Sequence, residues 1–310
     1  MIHVGISGWR YAPWRGTFFP EDLPQRRELA FAATRVSSIE INGTFYSLQR
    51  LTSFRSWRAE TPDEFLFAVK GPRYITHLKR LREVETPLAN FFASGVLALG
   101  TKLGPLLWQL PPNFVFDAAR MEAFLKLLPR STRAAARLAR HHDSRVAAPW
   151  TRVEEDRKLR HAIEVRHPSF ETPSFLELLR KHETAVMTAD TAGRWPLFKQ
   201  PTTDFVYLRL HGDEELYASG YTLESLRRWA AAVRRWTRPP SGPPRDAFIY
   251  FDNDIKTHAP FDAITLAHLL KVQTPAAARD FQAGLTQPRR PKTKAGKGSP
   301  GARKIPPGQG

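Results

Sequence analysis

Short runs of β-branched and apolar residues recur along the chain, separated by stretches with helical periodicity. The first four are IHVGIS (2–7), VSSIEI (36–41), FLFAVK (65–70) and PLLWQL (105–110). The second four are HAIEVR (161–166), AVMTAD (185–190), DFVYLRLH (204–211) and DAFIYFD (246–252). Between them, DAARMEAFLKLLP predicts a helix capped by Asp117 and stopped by Pro129, and TLESLRRWAAAVRRW one capped by Thr222. Parallel strands need crossover connections, so eight strand–helix units predict a single α/β domain, a (β/α)8 TIM barrel over residues 1–273. A doubly wound open sheet is the alternative. No internal repeat is visible.

The strands share one anomaly. In SSIEINGTFY the carboxylate of Glu40 interrupts a core-like run between Ile39 and Ile41, and an unpaired buried carboxylate is costly. Read with a period of two, every strand ends in a polar residue. They are Ser7, Glu40 and Asn42, Lys70, Gln109, Glu164 and Arg166, Asp190, Arg209 and His211, and Asp252. Barrel enzymes carry their active sites at this carboxyl end. A self-neutralising ion network is the bland alternative, although buried pairs seldom stabilise more than apolar side chains of similar volume. The expectation is one cleft holding Glu40, Lys70, Gln109, Glu164, Asp190, Arg209 and Asp252.

The following loops add candidates. GWRYAPWRGTFFP offers Trp9 and Tyr11 as stacking contacts for a sugar or base, with Arg10 or Arg15 reaching an anion. Its aromatics would otherwise be a hydrophobic cover over the barrel. VKGPRYITH brings Arg73 and His77 beside Lys70 to hold a phosphate or carboxylate, unless His77 merely caps a helix. DEELYASGY reads as a lid carrying Tyr217 and Tyr221. Glu40, Glu164, Asp190 and His211 are the catalytic candidates for general acid–base work. Trp9, Tyr11, Asn42, Tyr46, Lys70, Arg73, His77, Gln109, Arg166, Arg209, Tyr217, Asp252 and Asn253 are the substrate-binding ones. HExxH, Walker and GxGxxG motifs are absent. Glu40, Glu164, Asp190 and His211 could hold one divalent cation, and the cations in the same mouth argue against a multi-metal centre; no metal or other cofactor is expected.

Composition narrows the setting. The 42% hydrophobic content over 310 residues suffices for a large core, and zero cysteines exclude disulfides and thiolate chemistry. Neither a signal peptide nor a membrane span is evident, so a cytoplasmic monomer is expected. The net charge is +17. Residues 274–310 form a Pro/Gly/Lys-rich tail, expected to be disordered, whose part from Thr286 onward carries seven Lys or Arg and no acid. A second basic stretch spans Arg130–Arg160, either a solvated helix face or a patch for nucleic acid.

The chain resembles the YecE-like family, known as domain of unknown function 72. The resemblance rests on GISGWRYAPWRGTFFP, EINGTFY, FAVKGPRYITHLKRL, LGPLLWQLPPNF, EVRHPSF, TTDFVYLRLHG, YASGY and YFDND, in family order from residue 3 to about residue 270. It implies a TIM barrel and supplies no activity. The chain departs from the pattern at Gly43, where Ser is common, at Phe170, where an indole is common, and in KTHAPFDA, where the family stretch contains more Gly. Three functions compete. The first is an enzyme, of hydrolase or isomerase type, acting by general acid–base chemistry on a small anionic substrate, phosphorylated or containing a sugar or nucleotide. The second is a nucleic-acid binder or barrel nuclease, and the third a non-catalytic small-molecule sensor.

Overall fold

The computed structural model describes residues 1–272. The predicted tail, 274–310, lies outside them. Eight parallel strands close into a barrel in chain order: β1 (Ile2–Ser7), β2 (Ser38–Ile41), β3 (Leu66–Lys70), β4 (Leu103–Gln109), β5 (His161–Glu164), β6 (Ala185–Asp190), β7 (Phe205–Leu210) and β8 (Asp246–Phe251). The helices are α1 (Glu28–Arg35), α2 (the single turn Gly43–Tyr46), α3 (Leu51–Ala59), α4 (Glu85–Ala93), α5 (Ala118–Leu127), α6 (Thr132–Ala139), α7 (Pro173–Lys181), α8 (Leu223–Thr237) and α9 (His258–Leu270). Every predicted strand is present, with ends shifted by up to two residues. Val36, for example, belongs to the end of α1, where its N–H bonds Ala32.

Alternation along the strands builds two cores. Ala68, Leu107, Ala162, Ala185, Met187, Ala189, Phe205, Tyr207, Phe248 and Tyr250 fill the barrel axis. Their neighbours, such as Ile39, Ile41, Leu208 and Leu210, face the helices. Alanines on β5 and β6 leave room for the aromatics of β7 and β8, the small-against-large filling a closed barrel requires. Gly5 lets β1 and β2 approach, since a Cβ there would stand 1.8 Å from the Ser38 carbonyl oxygen. The caps read from the sequence are made: Asp117 accepts from Arg120 N–H and Thr222 from Ser225 N–H.

The sixth unit departs from the expected pattern. No helix lies between β6 and β7; a segment containing Gly193, Pro196 and Pro201 runs back along β6 instead. Thr188 Oγ1 donates to the Phe198 carbonyl, while Thr202 Oγ1 donates to Thr184 O and accepts from Val186 N–H. Glycine and proline disfavour a helix here, and these threonine bonds tie the segment to the strand instead.

Strain collects at the carboxyl end of the barrel. The loop after β3 holds a π-helical turn (Tyr74–Leu78), followed by left-handed Arg80, Leu81 and Glu83. Ala192, Tyr217 and Thr257, after β6, β7 and β8, are left-handed as well. Such residues cost free energy and cluster at functional sites. The KTHAPFDA departure resolves as left-handed Thr257 leading directly into α9.

Candidate functional site

Arg209 lies at the centre of the barrel mouth and is 1% exposed. Period-two alternation on β7 turns Tyr207, Arg209 and His211 inward, while Leu208 and Leu210 join the outer core. Nη2 of Arg209 lies 2.7 Å from Asp252 Oδ2 and 3.1 Å from Glu40 Oε1, and Nη1 lies 3.3 Å from Glu164 Oε2. Ser7 Oγ donates to Glu40 Oε1 at 2.6 Å and accepts from Asn42 Nδ2 and from Arg209 Nη2. Tyr207 OH donates to Glu40 Oε2 at 2.5 Å. The carboxylate that interrupts β2 is therefore fully paired, and its oxygens are occupied by protein donors.

Glu164 Oε1 is taken by Arg166, whose Nε and Nη2 each approach to 2.6 Å. Burial opposes ionisation of Glu164, but Arg166, Arg209 and Lys70 outweigh it and hold the carboxyl down at about 2. The Arg166 guanidinium stacks over Trp195 at 3.8 Å. His211 is enclosed by Trp195 and Tyr217, whose rings meet it edge-on. Its Nδ1 lies 3.0 Å from Asp252 Oδ2 but off the line a hydrogen bond needs, and neither ring nitrogen has a hydrogen-bond partner. Burial keeps this imidazole neutral by lowering its pKa.

One side of the mouth is cationic. Lys70 is 7% exposed, lies 4.3 Å over the face of Phe45, and takes part in no ion pair found among the described residues. Burial and the nearby Arg209 lower its pKa to about 8. His77, packed edge-on against Phe45, is held down at about 4 by burial and by Arg73, Lys70 and Arg166, with Glu164 the opposing charge. Gln109 Oε1, Asn42 Oδ1 and Arg209 Nε are buried without partners. Buried polar atoms need a partner, which here would be water or a ligand.

Two expected site residues, one of them from the predicted cluster, face elsewhere. Asp190 lies on the outer face of β6, because Ala189 and Met187 hold the inward positions. Its Oδ2 accepts from Tyr221 OH and Trp229 Nε1, and burial raises its pKa. The proposed cation set of Glu40, Glu164, Asp190 and His211 therefore does not converge, and no metal-holding group of three acids or histidines occurs among the described residues. Asn253 is likewise turned outward, donating to Asp262 Oδ2 and Ser219 O. Tyr46 stands 71% exposed on the rim.

The aromatic loop after β1 is largely packing. Trp14, Phe18 and Phe19 cluster with Phe31, and Arg15 is bonded to buried Glu28. Trp9 and Tyr11, with Arg10, Arg26 and Trp57, instead line a cavity of about 710 Å³ that reaches Asn42 at the edge of the mouth. Five cations of the basic stretch Arg130–Arg160 are ion-paired: Arg133 with Asp156, Arg145 with Asp143, Arg157 with Glu155, Lys158 with Glu183 and Asp204, and Arg160 with Asp246. No described helix is long and apolar enough to cross a membrane.

Some members were not anticipated. Tyr207, which closes the floor, was visible only as one more inward position on β7. Trp195 and Phe45 carry no polar signal and belong to the site through cations placed over their rings.

The family model described as "Protein of unknown function DUF72" matches residues 3–287. Among curated relatives, the UPF0759 protein YecE of Escherichia coli (strain K12) is 28% identical over 116 residues, 37% of this chain and 39% of that protein. The UPF0759 protein YunF of Bacillus subtilis (strain 168) is 25% identical over 119 residues, 37% of this chain and 41% of that one. The chain thus spans about two fifths of the length of the curated relatives it matches. A DUF72 family protein of Thermotoga maritima MSB8 superposes with a TM-score of 0.69 at 24% identity, covering 87% of this chain and 99% of that one. Another, from Enterococcus faecalis V583, does so at 0.67 with 16% identity, covering 88% and 96%. With the closed eight-stranded barrel and a family match over most of its length, the chain belongs to the DUF72 family.

Proposed function

We propose that the barrel mouth is an active site for a small anionic substrate, worked by proton transfer. The observation that carries this reading is a surplus of cations in the mouth: Lys70, Arg73, Arg166 and Arg209 stand against the carboxylates of Glu40, Glu164 and Asp252. A site built only to neutralise itself would match these charges. An anion of phosphate or carboxylate type supplies the missing negative charge, and Arg and Lys are the donors suited to it. Arg209 orients the three carboxylates and has no free fork for the ligand. His211 is the proton-transfer group: it is neutral, its Nε2 is unpartnered, and Asp252 stands beside Nδ1 to steady the imidazolium as it forms. Trp195 and Tyr217 keep water from the ring.

A bound anion stabilises the His77 imidazolium, so inorganic phosphate should raise its pKa from about 4 toward the ordinary histidine value. By linkage, phosphate binding should tighten as pH falls through that range. NMR titration of the His77 ring protons, with and without phosphate, measures both effects. Arg73→Ala should weaken phosphate binding by about tenfold, the worth of one charged hydrogen bond. An unshifted His77 titration at saturating millimolar phosphate would remove the anion site.

A further inference from the structure

Lys70 is a mouth cation to which Glu40, Glu164 and Asp252 offer no oxygen. Glu40 gives one oxygen to Ser7 and Arg209 and the other to Tyr207; Glu164 divides its pair between Arg166 and Arg209; Asp252 Oδ2 is shared by Arg209 and His211. The amine is nevertheless drawn into the barrel at the end of β3, over the apolar face of Phe45. A lysine present only for charge would pair with one of these acids. A desolvated lysine beside other cations is the arrangement that keeps an amine neutral and nucleophilic.

We propose that Lys70 is a nucleophile that forms a Schiff base with an aldehyde or ketone carrying an anionic group, such as a 2-oxo acid or a phosphorylated aldehyde. This rests on the anion site described above, because Arg73 and Arg166 hold the anionic end while the carbonyl meets Nζ. The neutral amine adds its lone pair to the carbonyl carbon, and one of its protons passes to the oxygen, giving a carbinolamine. Its second proton leaves with that hydroxyl as water, and a C=N bond joins Nζ to the substrate carbon. Protonation of the imine nitrogen then makes the adjacent carbon an electron-accepting centre. The amide of Gln109, with a buried Oε1 that lacks a partner, is available to the carbinolamine hydroxyl. The lowered pKa of Lys70 agrees with this role, leaving a sizeable fraction of the amine neutral near pH 8.

The test is reductive trapping on the full chain. The protein is incubated at pH 7.5 with glyoxylate or glycolaldehyde phosphate, reduced with sodium borohydride, and mapped by peptide mass spectrometry. Lys70 should carry the adduct at least tenfold above exposed lysines such as Lys126, and inorganic phosphate should suppress it. Trapping should rise to a plateau as pH passes about 8. Lys70→Arg and Lys70→Met should abolish the adduct, with circular dichroism confirming that each variant is folded. Adducts spread evenly over the lysines, or none at Lys70, would overturn the proposal. If phosphate still raises the His77 pKa in that case, the anion site stands and the nucleophile alone is lost. If Lys70 is trapped while phosphate leaves His77 unmoved, the anion site is the part that fails.

Discussion

Replacing Arg209 by methionine should cost about 3–5 kcal/mol of folding stability, the toll for leaving buried charge without its partner. Glu40 and Glu164 are fully buried and Asp252 nearly so, and all three converge on this one guanidinium. Methionine fills much of the volume and supplies no donor. Each carboxylate would then have to take up a proton or draw water into the barrel. Arg209→Lys keeps the charge but reaches fewer of the three oxygens, because an ammonium lacks the planar fork. It should fall between the wild type and Arg209→Met. Urea unfolding at pH 7 ranks the three proteins. A loss below about 1 kcal/mol for Arg209→Met would mean the acids do not depend on this residue.

The buried neutral histidines should together withdraw about 4 kcal/mol of stability between pH 7 and pH 5, while Asp254, its carboxyl pushed up by burial and by Asp252, acts in the opposite sense. His161 lies in the core, accepting from Trp108 Nε1 at Nδ1 and facing the Pro129 carbonyl with Nε2. Burial lowers its pKa from 6.5 to about 3. His3, stacked on Phe248 at the opposite end of the barrel, is lowered by burial to about 4. Below pH 6.5 the unfolded chain takes up two protons that the folded barrel refuses. Their stabilising contribution is present above 6.5 and is lost as pH falls toward the folded values, at about 1.4 kcal/mol per proton per pH unit. His211, lowered by burial, acts in the same direction. Glu164 extends the loss to lower pH, since its stabilisation fades between the ordinary carboxylate value and about 2. Asp254, Asp190 and Asp262, raised by burial, act in the opposite direction. Urea titrations of Asp254→Asn, which removes that opposing group, decide the matter, and equal stability of this variant at both pH values would contradict the buried neutral histidines.

The barrel was legible because strand periodicity and parallel connection leave few topologies open. Where prediction slipped, a local feature had competed with the period. On β6 the apolar run AVMTAD gives no sign of which parity faces inward, and Asp190 was assigned to the wrong face. On β7 the polar residues Arg209 and His211 alternate with leucine, and parity was plain. The helix missing before β7 was signalled by Gly193, Pro196 and Pro201, although the threonine bonds that hold the segment against β6 are long-range contacts no local pattern reveals. The role of Arg209 could not be read either. Its inward direction follows from spacing, but three acids sharing one fork depends on how strands 2, 5 and 8 meet across the barrel.

Closing the barrel requires β1 to pair with β8, joining Ile2 to Ala247 and Ile6 to Phe251. During synthesis at about 5–20 residues per second, β8 follows β1 by roughly 10–50 s. Through that interval the outer edge of β1 has no strand to bond, and an open edge is a template for pairing with other chains. Arg209 meets its last acid, Asp252, at the end of β8, so the charges of the mouth are also incomplete until then. Until β8 emerges, a nascent chain would present this open edge of β1, and pairing with β8 closes it.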